Sequence, residues 1–318
     1  MPESVGGTSD SALPPGITGS AVTVGTFDGL HRGHRDVLAQ LCARASALGL
    51  PSVLVTFEPH PLEVLRPGTA PRLLTVGTEK LEVLAESGVD FVAVLPFTAA
   101  LARLAPEEFV DRVLLQRYRM RDLLIGHDHG FGRDRSGDAN VLRSLGERCG
   151  FHVTMIAPVE GSDGEPISSS RIRRAVAQGE LFEAAALLGR PYGVAGRVVP
   201  GEQRGRSLGF PTLNVQLPDA RKLLPPEGVY AIRAQTPAGA FNGMMNLGPR
   251  PTFGDERIGL EAHLFDAAGD WYGAQVRLDF IARLRDTRKF PSTEALVEQL
   301  RRDADDARAA LAAPRVFG

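Results

Sequence analysis

Along the first half of the chain, short apolar runs alternate with stretches whose apolar positions recur every three or four residues. The runs at 21–27, 52–57, 91–96, 122–126 and 152–157 predict buried strands. The stretches at 34–48, 78–87, 106–118 and 139–149 predict amphipathic helices. Strand-helix alternation of this kind implies an α/β domain with a Rossmann-like parallel sheet covered on both faces. Ligands of such a sheet bind beyond the carboxyl ends of its strands. A short helix at 181–188 stops at Gly189, and the pattern then changes. Apolar runs at 192–199, 228–234, 239–247, 260–265 and 275–282 are separated by Gly and Pro turns, predicting an all-β domain, a small antiparallel barrel or sandwich. A last amphipathic helix runs from Ser292, its expected cap, to about residue 312, with Leu296, Leu300 and Ala304 on one face.

Composition narrows the class of protein. At 318 residues the chain has room for two domains, and 36 basic against 38 acidic residues argue against nucleic-acid binding. Two cysteines, Cys42 and Cys149, are too few for a disulfide framework or a structural zinc site, which points to a reducing cytoplasm. Residues 1–19 are rich in Ser, Gly, Thr and Pro, without the basic start and apolar core of a signal peptide, and read as a flexible leader. No apolar run approaches the roughly 18 residues that span a bilayer, so no membrane association is expected.

The chemistry gathers at predicted strand ends. After the first run comes Gly25-Thr26-Phe27-Asp28-Gly29-Leu30-His31-Arg32-Gly33-His34. A glycine-bearing turn between strand and helix suits a phosphate, because unpaired N–H groups and the helix dipole converge there. His31 and His34, three apart, can face one way. By themselves they fit a surface pair or a metal pair as well. After the second run, Glu58-Pro59-His60-Pro61 fixes an extended loop or a plain strand exit. After the fourth lies Gly126-His127-Asp128-His129-Gly130-Phe131-Gly132-Arg133. On an extended chain Asp128 would point away from His127 and His129, which argues against a metal centre there. Ile167-Ser168-Ser169-Ser170-Arg171-Ile172-Arg173 opens a helix, either as a simple cap or as a cradle for a triphosphate. In the β-rich half, the glycines and arginines from Gly196 to Gly209 do not form a Walker A loop, since no Gly-Lys-Ser/Thr ending follows.

Taken in order, these strings resemble the bacterial bifunctional riboflavin kinase/FAD synthetase (FMN adenylyltransferase) family over about residues 20 to 310. The stretch from Gly25 to His34 resembles the first signature of HIGH-type nucleotidyltransferases, and Ile167-Ser168-Ser169-Ser170-Arg171-Ile172-Arg173 the second, with Ser170 in place of Thr. Gly209-Phe210-Pro211-Thr212-Leu213-Asn214 resembles the riboflavin kinase signature. The resemblance implies a leader at 1–19, a nucleotidyltransferase domain at 20–188 and a riboflavin kinase barrel with a C-terminal helix at 189–314.

It also implies roles. In the adenylyltransferase, Gly25, Thr26, Phe27, Asp28, Gly29, His31, His34, Ser169 and Arg171 would bind ATP, with His31, His34 and Arg171 catalytic. Glu58, His60, Asp128, His129 and Phe131 would hold FMN. In the kinase, Gly196, Gly201, Arg206, Gly209, Pro211, Thr212 and Asn214 would bind ATP, and the Thr212 and Asn214 oxygens, two apart on a strand, would reach one Mg²⁺. Glu261 would be the general base, and Asn246, Arg285 and Phe290 would line the flavin pocket. Two departures stand out: His129 where an aromatic ring is usual, and Thr287 where an acidic residue is usual, the latter bearing on riboflavin affinity. The expected partners are ATP, riboflavin and FMN. Two rivals remain: a kinase whose N-terminal half no longer turns nucleotide over, and a flavin-sensing regulator without ATP consumption.

Overall fold

The computed structural model describes residues 3–6, 12–126, 137–201, 204–249, 258–267, 269 and 271–313. In chain order its first half contains β1 (Glu3–Gly6), β2 (Ser20–Val24), α1 (Arg32–Leu48), β3 (Ser52–Glu58), α2 (Pro61–Leu65), α3 (Gly77–Ala85), β4 (Phe91–Pro96), α4 (Ala99–Ala102), α5 (Pro106–Phe109), β5 (Met120–Gly126), α6 (Ala139–Cys149) and β6 (His152–Ile156). Two units separate by their internal contacts: Met1–Pro71 with Lys80–Ser168, and Arg72–Glu79 with Ser169–Gly318.

The six-stranded sheet of the first unit is paired in parallel throughout, in the order β1-β4-β3-β2-β5-β6. Alternate residues of each strand serve opposite faces, as the two-residue period requires. Val22, Val24, Val53, Val55, Phe57, Ala93 and Leu95 pack on one side with Phe109, Leu114, Leu142 and Leu145. Ala21, Leu54, Val92 and Leu124 pack on the other with Leu38, Leu41, Val83 and Leu84. The chain winds from β2 through β3 to β4 in one direction and resumes at β5 on the other side of β2. The crevice outside the carboxyl end of β2 is therefore the topological switch point where such sheets bind ligands.

Three local readings change. The first run ends at Val24 rather than residue 27, because Phe27 takes a φ of 47° that no strand continues through. Residues 3–6, expected within a flexible leader, form β1, an edge strand beside β4. The helix expected over 106–118 is one α turn followed by a π-helical segment, Val110–Leu115, in which Gln116 N–H donates five residues back to Asp111 O at 3.0 Å and Tyr118 N–H to Val113 O at 3.3 Å.

The second unit contains α7 (Ser169–Gln178), α8 (Leu181–Leu188), β7 (Gly193–Val199), α9 (Arg204–Ser207), β8 (Leu213–Gln216), β9 (Gly228–Thr236), β10 (Gly239–Pro249), β11 (Ile258–Leu264), β12 (Gln275–Arg285) and α10 (Thr293–Ala312). Its strands close into an antiparallel barrel, order β10-β11-β8-β7-β12-β9, as the resemblance implied and the hydrophobic pattern alone left open. Closure leaves no exposed sheet edge. The sixth strand, β8, is too short to stand out as an apolar run, and it contains Asn214, expected on a strand, while Thr212 lies just before it. Ser292 caps α10 by accepting from Ala295 N at 3.2 Å, and Ala304, Ala307 and Leu311 lie at helical spacing against Ala231 and Met244. The segment Arg72–Glu79 belongs to this unit through Leu73, which bridges to Lys222. The Lys222 ammonium is buried, donating to Leu74 O at 2.6 Å and to both Glu79 carboxylate oxygens at 2.7 and 2.9 Å.

Candidate active site

The turn after β2 is held from both ends. Gly25 N–H donates to Val55 O at 3.0 Å, and the buried Thr56 hydroxyl donates to Thr26 O at 3.1 Å, so β3 fixes the turn's first residues. Phe27, Gly29 and Leu30 all have positive φ, 47°, 82° and 39°. For the two non-glycines this costs roughly 1–2 kcal/mol each, strain that a surrounding fold must hold in place. A Cβ on Gly25 would lie 2.9 Å from the Phe27 ring, so no larger residue fits beneath it.

His31 caps α1: its Nδ1 accepts from His34 N at 3.3 Å. With Nδ1 accepting, the proton of the neutral ring resides on Nε2, which makes the imidazole a donor on that side. The two histidine rings stack 3.6 Å apart at 18°, and Phe27 packs 4.8 Å from His34. The structure thus brings Gly25, Thr26, Phe27, Asp28, Gly29, His31 and His34 into one strand-to-helix turn.

Glu58 ends β3. His60 caps α2, accepting from Leu62 N at 3.2 Å while its own N–H donates to Glu63 at 2.9 Å, so this residue has a structural duty that its sequence context did not reveal. Asp128, His129 and Phe131 lie outside the described residues. In the second unit Ser169 begins α7. Arg171 is fixed by Glu183 of α8, to which Nε and Nη2 donate at 3.1 and 3.0 Å.

Barrel register assembles the other set. Glu261 on β11 is the direct cross-strand partner of Asn214 on β8 and of Asn246 on β10. Asn246 in turn faces Val229 on β9, and Val229 faces Arg285 on β12. Directly opposed residues share a face of the sheet, so Asn214, Glu261 and Asn246 form one row across three strands. Gly201 approaches the Asn214 side chain so closely that a Cβ there would overlap it, and Gly196 lies 2.5 Å, measured from such a Cβ, from Gln216 O.

Gly209 turns with φ 81°, and Phe210 N–H donates to Gly205 O at 2.8 Å, shaping the approach to Pro211 and Thr212. Arg206 lies on α9, and its side chain is outside the described residues. Arg285 pairs with the buried Asp303, and its guanidinium carbon lies 5.7 Å from the centre of the Phe290 ring. A Cβ on Gly248 would sit 3.6 Å from Thr287 and 3.9 Å from Asn246, so Thr287 and Asn246 both lie close to Gly248. Among the described residues there is no cluster of three or more His, Cys, Asp or Glu side chains able to hold a metal ion by themselves. The donors available are the neutral hard oxygens of Thr212 and Asn214, which suit a cation whose remaining ligands are phosphate oxygens and water.

The known proteins to which this chain is similar fall along the same division. Residues 14–171 match the family model described as FAD synthetase, and residues 188–311 that described as riboflavin kinase. The bifunctional riboflavin kinase/FMN adenylyltransferase of Pseudomonas fluorescens is 42% identical over 303 residues, covering 95% of this chain and 96% of that one. The chain belongs to the bifunctional riboflavin kinase/FMN adenylyltransferase family. The Escherichia coli K12 protein of the same name is 39% identical over 295 residues, covering 91% and 92% of the two chains. A crystal structure of a macrolide-efflux protein from Streptococcus pneumoniae superposes with a TM-score of 0.86 at 32% identity, covering 96% of this chain and 98% of that one.

As a riboflavin kinase/FMN adenylyltransferase the protein uses ATP to phosphorylate riboflavin to FMN and to adenylylate FMN to FAD, activities that typically require a divalent metal. Among the described residues no helix is long and apolar enough to cross a membrane.

Two residues near these sites escaped the motif reading. Lys80, on α3, donates to Phe57 O at 3.2 Å. Burial pushes its ammonium below the ordinary lysine range, against the opposing pull of the Asp28 and Glu58 carboxylates nearby. It is one of three lysines among 36 basic residues, and in a chain that otherwise uses arginine a compact ammonium is itself a signal. His263, two residues beyond Glu261, bonds through Nδ1 to Pro211 O at 2.8 Å and packs edge-on to Phe210, tying β11 to the Gly-Phe-Pro-Thr segment.

Proposed function

We propose that the two reactions are divided as follows. Residues 189–314 carry the kinase, in which Glu261 accepts the proton of the riboflavin ribityl hydroxyl as its oxygen attacks the γ-phosphorus of ATP, giving FMN and ADP. The register that sets Glu261 between Asn214 and Asn246 carries this reading, since it puts a base beside a candidate phosphate-side residue and a candidate flavin-side residue. Gly196, Gly201, Arg206, Gly209, Pro211, Thr212 and Asn214 bind the nucleotide, and Asn246, Arg285 and Phe290 the flavin. The Thr212 hydroxyl and Asn214 amide oxygen would hold Mg²⁺, which screens charge on the phosphates.

Residues 20–188, following a leader at 1–19, carry adenylyl transfer. An FMN phosphate oxygen attacks the α-phosphorus of a second ATP and pyrophosphate leaves, so FAD forms without a protein nucleophile. His31 Nε2 and His34 stabilise charge on the phosphates, and Gly25, Thr26, Phe27, Asp28 and Gly29 pack against the nucleotide. Ser169 and Arg171 serve the leaving pyrophosphate, an assignment supported by the FAD synthetase match, which runs to residue 171. Glu58, His60, Asp128, His129 and Phe131 serve FMN. The two free thiols, Cys42 and Cys149, suit a cytoplasmic enzyme. The test is an assay of purified protein with FMN, ATP and Mg²⁺. FAD and pyrophosphate are expected; their absence where riboflavin is still phosphorylated would leave a kinase alone.

A further inference from the structure

Arg285 is held with unusual completeness. Its Nε donates to Asp303 Oδ1 at 2.8 Å, its Nη2 to Asp303 Oδ2 at 2.6 Å, and its Nη1 to Asp286 O at 2.9 Å. Asp303 is 1% exposed, and its Oδ1 also accepts from Gln299 Nε2 at 2.8 Å. Gln299 accepts in turn from Arg288, whose guanidinium carbon lies 5.0 Å from the centre of the Phe290 ring. A forked pair of this kind fixes both the position and the plane of a guanidinium.

The pair is not needed to dock α10. That helix already buries Ala304, Ala307 and Leu311 against Ala231, Met244, Phe265 and Ile281. A buried carboxylate is a costly way to add to such an interface, because apolar residues of the same volume commonly serve as well or better. What the carboxylate does supply is a fixed guanidinium in the row that runs through Val229 and Asn246 to Glu261.

We infer that Asp303 and Gln299 of α10 are positioning residues for riboflavin binding, holding Arg285 in the orientation that receives the flavin. The inference rests on the assignment of Arg285 to the flavin pocket. It makes the C-terminal helix part of substrate selection. Three of the guanidinium's bonds go to the protein, and the rest of its donor set is left for a polar edge of the ligand.

The test is steady-state kinase kinetics of the full chain with riboflavin and MgATP varied in turn, alongside thermal unfolding. Asp303→Asn and Gln299→Ala are expected to raise the riboflavin KM by about tenfold and about threefold, with kcat and the MgATP KM nearly unchanged. Asp303→Glu should recover part of the loss. In an Arg285→Lys background, Asp303→Asn should add little, because the group it positions is already altered. Should Asp303→Asn fail to fold, the half-buried Gln299 carries the same test, and an unchanged riboflavin KM in Gln299→Ala would overturn the proposal. A variant pair that lowers the melting temperature and raises both KM values alike would also overturn it, leaving Asp303 as a helix anchor. If Arg285→Lys raises the riboflavin KM but Asp303→Asn and Gln299→Ala do not, the clamp is wrong and the flavin pocket stands. If Arg285→Lys leaves the riboflavin KM unchanged, the pocket assignment itself falls.

Discussion

The turn after β2 and the row across the barrel, the two proposed sites for phosphate chemistry, are built by opposite constructions. In the first, His31, His34 and the glycines proposed to admit a nucleotide lie in one ten-residue string, and the geometry is stored in local strain, with positive φ at Phe27, Gly29 and Leu30 just before a histidine cap. In the second, Asn214, Glu261 and Asn246 come from three strands and sit together only because antiparallel register opposes them. A local site tolerates changes in distant packing but not in its own turn residues. A register-built site behaves in reverse, since a slip of one residue would send Glu261 to the other face of the sheet.

The sharpest way to break this comparison is to remove the proposed base. Glu261→Ala should lower the riboflavin phosphorylation rate by about 10²–10⁴-fold, the usual worth of a general base, while FAD formation from supplied FMN continues unchanged. Loss of both activities would contradict two independent sites. Next in size, His31→Ala should reduce FAD formation by about 10²–10³-fold and leave FMN formation intact, measured as pyrophosphate release from FMN and ATP. Because His31 is also a helix cap, a melting curve should accompany it; the Ala variant is expected to lose about 1 kcal/mol in that unit.

Gly201→Ala probes the register-built site from its neighbour. The new methyl must displace the Asn214 side chain, so the kinase should weaken by roughly 10–100-fold, seen mainly in the MgATP KM, with adenylyl transfer untouched.

The smallest effect concerns Lys80. Its folded-state pKa lies below that of the unfolded chain, so between the two values the unfolded state binds more protons, and stability rises with pH through that window. Urea unfolding should therefore show wild type gaining on Lys80→Met as pH rises toward the ordinary lysine value of about 10, with the difference flat below the folded pKa. A gap that shrinks instead would mean that the Asp28 and Glu58 charges outweigh burial.

How far the sequence reveals each construction follows from the same contrast. The turn was legible because strand, glycines, histidines and helix stand in one uninterrupted string. The parallel sheet was legible because strands buried on both faces read as continuous apolar runs. The π-helical segment was not, since the apolar spacing of Val110, Val113 and Leu114 is equally good for an α-helix. The strand β8 was half legible: the spacing of Thr212 and Asn214 presupposed a strand, but four residues that include Asn214 and Gln216 make no apolar run, and the place in the barrel comes from pairing with β7 and β11. Lys80 and Asp303 went unread because a lone charged residue in a helical pattern looks solvated until its burial and partners are known.

Taken alone, the amino-acid sequence determined the order of elements, the change from α/β to β architecture and the motif strings, all of which depend on neighbours within a few residues. Tertiary structure alone decided the order in which six strands close the barrel, that Glu261 stands opposite both Asn214 and Asn246, and that a carboxylate from the last helix grips Arg285. Those facts depend on strand register and helix docking, which are set by packing the whole core at once and leave no trace at any single position.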